Sequence, residues 1–228
     1  FEIVIHEYIT PTMVKALGRP MLMLASNNYL SLARDDSQIK ASIQALKNFG
    51  TGTSAPRPMG GAFRYHEELE AAISRFLKKG FTVHFSCGPL AHIGAITAIA
   101  GENSRIIIDE HCQAAVFDAA GLSGARTDII EHNRVEAIEK KLKSRRKFDE
   151  TVVIVDGVYS MRGDRSPLGD IAELRKKYDF IFYVNETHSL GVLGPTGAGA
   201  AEEAGIREAC DFIAGSLSKA AASDGGFA

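Results

Sequence analysis

A lysine set among small residues is the first position at which this sequence could support covalent chemistry. Lys219 ends the segment Gly-Ser-Leu-Ser-Lys at residues 215–219, directly after the apolar run 212–214. A lysine just past a buried strand can be partly desolvated, which lowers its pKa and makes its amine a nucleophile towards an aldehyde. Ser216 of the same segment could donate to a phosphate. Taken alone, the segment equally fits a surface lysine in a flexible loop.

A histidine and an asparagine follow another apolar run in a similar way. The segment Asn-Glu-Thr-His-Ser at 185–189 comes after residues 180–184 and before several glycines. His188 could hydrogen-bond a cofactor oxygen, and Asn185 could face the same pocket. A loop histidine and a turn asparagine explain this segment equally well when it is considered by itself.

Two further segments have the composition of ligand-binding loops. The first, Asp-Gly-Val-Tyr-Ser-Met-Arg-Gly-Asp at 156–164, has a glycine turn that could place Ser160 over a ligand. The second, Gly-Thr-Gly-Thr-Ser-Ala-Pro-Arg at 50–57, is a flexible loop in which Arg57 could bind substrate. The second segment also fits a long turn without such a role.

Strand-like and helix-like segments alternate along the chain and must position these residues. Strands are predicted at 82–86, 105–108, 128–130, 152–156, 180–184 and 212–214, and helices at 66–78, 90–100, 134–143 and 171–177. Nearly all-apolar strands that alternate with helices indicate an α/β fold with a parallel sheet covered on both faces. Ligands bind such sheets at the carboxyl ends of the strands. The polar and glycine-rich segments, including Cys87 and Gly88 after the first predicted strand, follow those ends.

The composition excludes several other classes of function. The 228 residues are 45% hydrophobic with a formal net charge of −2, which gives no electrostatic basis for binding nucleic acid or an anionic membrane. Cys87, Cys112 and Cys210 form no CxxC pair, so neither a disulfide scaffold nor a metal site is expected. The same pattern favours a reducing compartment, and we expect a cytoplasmic location. No apolar run approaches the roughly 20 residues that span a bilayer. The start without Met and the ending Gly-Gly-Phe-Ala predict a fragment.

Several long motifs occur together in a characteristic order. They are NNYLSL, GTGTSAPR followed by HEELE, DGVYSMRGDRSPL, NETHSLGVLGPTGAG and GSLSKA with a later GG. In order and approximate spacing the chain resembles the α-oxoamine synthases, and among them the serine palmitoyltransferase group. The resemblance covers essentially the whole chain and implies the type I fold of enzymes dependent on pyridoxal 5'-phosphate (PLP). It predicts an N-terminal segment at 1–50 and a truncated PLP-binding large domain at 51–228, without the C-terminal small domain.

The resemblance also implies a reaction and roles for particular residues. Members of the family work as dimers and condense an amino acid with an acyl-CoA, in most cases with loss of carbon dioxide. Lys219 matches the lysine that carries the cofactor as a Schiff base, and His188 matches the histidine that contacts the phenolic oxygen of the cofactor. Ser216 matches a phosphate-binding hydroxyl, Ser160 lies in a pocket-lining motif, and Cys87 with Gly88 belongs to the phosphate-binding turn. Arg57 is the candidate for contact with substrate.

Three positions depart from the family pattern. Asn185 stands where the family has an aspartate, so the charge that favours a protonated pyridine nitrogen is missing from that residue. Gln113 stands where a cofactor-stacking histidine belongs, with His111 two residues away. Pro89 follows Gly88 in the phosphate-binding turn and has no N–H to offer.

These departures leave alternatives to a catalytic α-oxoamine synthase open. The chain could be a degenerate, non-catalytic partner of a related active subunit. Its assembly could be a homodimer or a heterodimer with a related chain. Another type I reaction, such as that of an aminotransferase or an amino-acid lyase, is a third interpretation, which the motifs at 50–57 and 156–164 disfavour.

Overall fold

A small antiparallel sheet precedes the main body of the chain. The structure is a computed structural model that describes residues 3–144 and 148–228. Its first strands are β1 (Ile5–Tyr8), β2 (Met13–Ala16) and β3 (Arg19–Leu22), which pair in that order. The sequence analysis did not predict them. Only Val14 and Ala16 of these strands are buried, so the apolar alternation that indicates a half-buried strand is weak here.

An amphipathic helix that was also not predicted follows this sheet. Helix α1 (Asp36–Phe49) begins after Asp35, whose carboxylate accepts hydrogen bonds from the N–H groups of Ser37 at 2.9 Å and Gln38 at 3.2 Å. This is a helix N-cap, which satisfies N–H groups that have no partner within the helix. Within the described residues, α1 buries none of its side chains.

A seven-stranded sheet forms the centre of the described chain. Its strands are β4 (His84–Phe85), β5 (Arg105–Asp109), β6 (Arg126–Ile130), β7 (Thr151–Asp156), β8 (Ile181–Asn185), β9 (Phe212–Ser216) and β10 (Gly226–Phe227), in the spatial order β4-β10-β9-β8-β7-β5-β6. The pairs among β5 to β9 are parallel, whereas β10 is antiparallel to both β4 and β9. The predicted mostly parallel sheet is therefore confirmed, and its one unpredicted strand is the two-residue β10.

Helices cover this sheet and include all four of the predicted ones. They are α2 (Arg64–Leu77), α3 (Gly88–Ile99), α4 (Ala114–Ser123), α5 (Val135–Leu142), α6 (Leu168–Leu174) and the short α7 (Ala200–Glu203), with 3-10 turns at Leu32–Arg34, Arg57–Met59 and Arg207–Ala209. Helices α4 and α7 were not predicted, and the four predicted helices have shifted ends. No helix in the described ranges is both long and apolar enough to cross a membrane.

The two faces of the sheet bury separate hydrophobic cores. On one face, Ile107 and Val153 pack with residues of α2, α5 and α6. On the other face, Ile106 and Ile154 pack with residues of α3 and α4. Successive side chains of a strand point to opposite faces, so the near-continuous apolar strands fill both cores. The sheet between two helical layers holds the carboxyl ends of its strands in fixed positions. The division into ranges 1–50 and 51–228 stays a prediction.

Candidate active site

Polar side chains end four adjacent parallel strands at one edge of the sheet. Asp109 ends β5, Asp156 ends β7, Asn185 ends β8 and Ser216 ends β9. The register sets Asp156 directly opposite Asn185. All four side chains belong to buried residues, which requires that their polar atoms find hydrogen-bond partners. This edge is where the fold predicts a ligand site.

Asn185 lies at the centre of a hydrogen-bond network at this edge. Its Nδ2 donates to Oδ1 of Asp156 at 2.9 Å and to Oε1 of Gln113 at 3.2 Å. Its Oδ1 accepts the N–H of Thr187 at 3.0 Å, and the N–H of Gln113 donates to Oδ2 of Asp156 at 3.1 Å. Burial raises the pKa of Asp156 to about 7, although the hydrogen bonds from Asn185 and Gln113 lower it. The network therefore connects Gln113 and Asn185, two of the positions that depart from the family pattern, to the buried carboxyl group of Asp156.

Gln113, and not His111, is the residue that the structure brings to Asn185. Gln113 lies directly before α4. From there the backbone N–H of Gln113 reaches the end of β7, and its side chain reaches the end of β8. The His111 ring lies 4.6 Å from the His132 ring, and the backbone N–H of His111 donates to Oδ1 of Asp109. A local shift that would put His111 in place of Gln113 is therefore not seen.

The Lys219 and His188 segments lie against each other. A Cβ added to Gly191, three residues after His188, would lie 2.5 Å from Cβ of Ala220, the residue after Lys219. Burial lowers the pKa of His188, and the charge of Lys219 lowers it further. Lys219 is a half-buried residue, and its amine lies 3.4 Å from the hydroxyl of Ser218. The structure thus brings the two predicted catalytic residues into one neighbourhood.

Tyr29 is a site residue to which the sequence analysis gave no role. Its hydroxyl lies 2.7 Å from Nδ1 of His188 and 3.3 Å from Oδ1 of Asn27. The first contact fixes the orientation of the imidazole and makes Nε2 the ring nitrogen available to a ligand. The NNYLSL motif was the available signal, but a motif alone does not reveal which side chain it meets.

His92 is a second residue that the sequence analysis missed. It is fully buried in α3, and its Nδ1 lies 2.8 Å from the hydroxyl of Tyr183. Burial lowers its pKa to about 4, and the nearby Asn185 side chain opposes that shift. Its Nε2 is one of the buried polar atoms without a hydrogen-bond partner among the described residues. His92 is therefore a neutral imidazole beside the Asn185 network.

An anion could be held where α3 begins, beside the end of β9. No side chain in the described part of the chain caps α3, which leaves N–H groups of its first turn available. A Cβ added to Gly88 would lie 2.7 Å from Cβ of Ser216, so only glycine permits this approach. The Ser216 hydroxyl lies 2.7 Å from the Ser218 hydroxyl, and Cys87 precedes the helix. Pro89 removes one N–H from this turn.

Arg57 and Ser160 have other surroundings. Arg57 donates to both carboxylate oxygens of Glu70, at 2.5 and 3.0 Å, and this ion pair lowers the pKa of Glu70. Ser160 lies exposed in the turn that follows Tyr159. The structure does not bring either side chain into contact with the Asn185 network, and their roles stay predictions.

His132 fastens the loop that contains Ser160 to the end of β5. Its Nδ1 lies 2.8 Å from Oδ1 of Asp109, and its Nε2 lies 2.8 Å from Oδ2 of Asp164. Burial opposes protonation, but the two carboxylates raise the pKa of His132 overall. The His132 ring therefore links the end of β5 to the loop that contains Ser160 and Asp164.

Comparison with known proteins decides the family. The model of the aminotransferase class I and II family matches residues 19–228. The chain belongs to this family, in its α-oxoamine synthase branch. Serine palmitoyltransferase of Caulobacter vibrioides is 38% identical over 221 residues, which cover 96% of this chain and 54% of that protein. The 8-amino-7-oxononanoate synthase of Lysinibacillus sphaericus is 37% identical over 210 residues, which cover 92% of this chain and 54% of that protein.

Solved structures agree with this membership. Serine palmitoyltransferase of Sphingomonas wittichii superposes with a TM-score of 0.95 at 34% identity, covering 99% of this chain and 56% of that one. A structure of serine palmitoyltransferase with a PLP internal aldimine gives the same TM-score and identity, and covers 99% and 57%. This α-oxoamine synthase chain thus spans about half the length of the relatives that it matches.

Proposed function

We propose that this chain is the cofactor-binding core of a PLP-dependent acyltransferase similar to serine palmitoyltransferase. The enzyme condenses an amino acid with an acyl-CoA or acyl-carrier thioester, usually with loss of carbon dioxide. One observation carries the proposal: the Lys219 and His188 segments are packed together, with Gly191 against Ala220, at the sheet edge that ends in Asn185 and Ser216.

The residues at this edge fit a phosphorylated pyridine aldehyde. The close approach of Gly88 to Ser216, beside the uncapped start of α3, suits a phosphate group. The amine of the half-buried Lys219 suits an aldehyde carbon, and Asn185 suits a ring nitrogen. Pro89 reduces the number of phosphate donors by one but leaves Ser216 and the N–H of Gly88 and Leu90.

Each residue then has a defined task. When bound, PLP supplies an electron sink for negative charge at Cα of the amino acid. Lys219 holds the cofactor and moves the proton at Cα. His188, held through Nδ1 by Tyr29 at 2.7 Å, presents Nε2 to an oxygen of cofactor or thioester. Its lowered pKa keeps the imidazole neutral near pH 7, so that it hydrogen-bonds without adding a second positive charge beside Lys219.

Substrate contact and assembly belong to the same proposal. Arg57 is the candidate for binding substrate, and a substrate carboxylate that bound it would compete with Glu70. Ser160 lines the entrance from its exposed turn. The site is completed in a dimer, with a second copy of the chain or a related one, in the cytoplasm. The three free cysteines, Cys87, Cys112 and Cys210, are in keeping with that reducing compartment.

Release of CoA thiol tests the reaction directly. Full-length protein loaded with PLP is supplied with a panel of amino acids and acyl-CoA chain lengths, and free thiol is followed. We expect release that depends on one amino acid and is abolished in Lys219→Ala. Transamination without any need for an acyl thioester would instead assign another type I reaction.

A non-catalytic partner subunit is the second candidate function. Asn185, Gln113 and Pro89 motivate it, because each replaces a group with which the family assists catalysis or binding. Under this alternative, full-length protein co-purifies with a related chain that has the family aspartate and histidine, and thiol release requires that chain. Robust product formation by the isolated homodimer contradicts it.

A further inference from the structure

Asp156 and Asn185 form a buried pair across two neighbouring strands. They are register partners at the ends of β7 and β8, with 0% and 1% of their surfaces exposed. Nδ2 of Asn185 donates to Oδ1 of Asp156 at 2.9 Å. The carboxylate that residue 185 lacks is thus present one strand away, joined to the amide by a hydrogen bond.

The orientation of the Asn185 amide follows from its other contacts. The N–H of Thr187 can only donate, so the atom that it meets at 3.0 Å is the amide oxygen. The nitrogen therefore faces Asp156 and Gln113. An amide oxygen has two lone pairs, of which Thr187 uses one, and the other can accept a hydrogen bond from a ligand.

A carboxylate on the nitrogen side of an amide strengthens the oxygen as an acceptor. Hydrogen bonds arranged in a chain polarise one another, and the effect is larger in a buried site. A protonated pyridine nitrogen that donates to Oδ1 of Asn185 would end such a chain, with Asp156 at the other end. The negative charge of Asp156 then favours the protonated ring.

The surroundings of Asp156 favour the arrival of a positive charge. The groups around it are the Cys112 thiol, the Gln113 N–H, Asn185, and the more distant Asp109, Tyr159 and Tyr183. None of these groups in the described part of the chain carries a positive charge. Burial raises its pKa to about 7, and a positive charge on a bound ring would oppose that shift and favour the ionised carboxylate.

We propose that Asp156 stabilises the protonated ring nitrogen of the bound cofactor through the side-chain amide of Asn185. This inference rests on the proposed function, since it requires that PLP binds with its ring nitrogen at Asn185. It assigns Asp156 as a positioning residue that acts through Asn185 and does not touch the ring. With an amide at position 185, the carboxylate that acts on the ring then lies one strand away, on β7.

Nitrogen NMR tests this assignment without an activity assay. Full-length protein is loaded with PLP labelled with ¹⁵N in the ring, and the chemical shift is titrated with pH. We expect a protonated nitrogen at neutral pH in the natural protein, and a ring pKa about one unit lower in Asp156→Asn. The exchange variant Asp156→Asn/Asn185→Asp, which returns the carboxylate to β8, should restore protonation. Asp109→Asn, which removes a buried carboxylate at the same edge without a contact to Asn185, is the matched control.

The outcomes separate this inference from the proposed function. An unprotonated ring in the natural protein, or an unchanged ring pKa in folded Asp156→Asn, overturns the role of Asp156 but leaves cofactor binding intact. Equal shifts in Asp156→Asn and Asp109→Asn would also overturn it, because the effect would then be general electrostatics. Failure of the natural protein to bind PLP at all overturns the proposed function and this inference together.

Discussion

The hydroxyl of Tyr29 lies 2.7 Å from Nδ1 of His188, a residue 159 positions later in the chain. This contact connects the segment before α1 to the loop after β8. The phenol orients the His188 ring, because its hydroxyl lies within hydrogen-bonding distance of Nδ1. The orientation matters because only one ring nitrogen can then face a ligand.

Tyr29→Phe should lower turnover without loss of cofactor. A single hydrogen bond contributes about 0.5–1.5 kcal/mol, so we expect a roughly two- to tenfold lower kcat. The measurement is kcat and KM across pH, with PLP loading followed by absorbance. Asn27→Ala is the matched control, because Asn27 meets the same hydroxyl at 3.3 Å without touching His188. A kcat and pH profile like those of the natural protein would show that Tyr29 has no orienting role.

Pro89→Ala should strengthen cofactor binding. The substitution restores an N–H in the first turn of α3, and a hydrogen bond to a charged group contributes about 1.5–3 kcal/mol. We expect a Kd for PLP lower by about tenfold, measured by equilibrium dialysis. Pro167→Ala, which alters the proline before α6, serves as control. An unchanged Kd would place the phosphate elsewhere.

Gly88→Ala should have the opposite effect on the same measurement. Its new Cβ would lie 2.7 Å from Cβ of Ser216, so the start of α3 and the end of β9 must separate. We expect Kd for PLP to rise by about 5- to 160-fold, because overpacking typically costs about 1–3 kcal/mol. Gly169→Ala is the control, since a Cβ there meets nothing within 4 Å. Equal affinities of the two variants would argue against a phosphate between these segments.

His132→Gln should reduce stability more at low pH than at high pH. The pKa of His132 is raised in the folded state, so its stabilising effect is complete below the unfolded value of about 6.5 and is lost as pH rises through the folded pKa. We expect a loss of about 1–3 kcal/mol near pH 5.5 and a smaller loss near pH 9. Urea unfolding at both pH values measures it.

The neighbouring histidine provides the control for this pH dependence. The His111 ring lies against the His132 ring and forms no ion pair within residues 3–144 and 148–228, so His111→Gln should not show the same difference between the two pH values. A loss in His132→Gln that is equal at both pH values would mean that the ring supports the loop by packing alone.

The central sheet was predictable because its strands are buried on both faces. Runs such as Thr151–Asp156 are apolar nearly throughout, a composition that a parallel sheet between two helical layers requires. Strands β1 to β3 lack that pattern because most of their residues are exposed or half-buried. Helix α1 was missed although Asp35 is a good N-cap, because little of its apolar face is buried.

The site was predictable at the level of strand ends but not of contacts. The positions of Asn185 and Ser216 at one edge follow from the alternation of strands and helices. The hydrogen bond between Asn185 and Asp156 depends on the register of β7 and β8, which composition does not reveal. The ion pair of Arg57 with Glu70 likewise depends on how the loop before α2 folds back.

Reduction of the bond between lysine and cofactor shows directly whether Lys219 carries PLP. Full-length protein is mixed with PLP, its visible spectrum is recorded before and after borohydride reduction, and the modified peptide is identified by mass spectrometry. We expect a visible band that reduction abolishes, with the phosphopyridoxyl group on Lys219. The Lys219→Ala variant should show neither the band nor the label. A folded protein without such a band, or a label on another lysine such as Lys79, would contradict it.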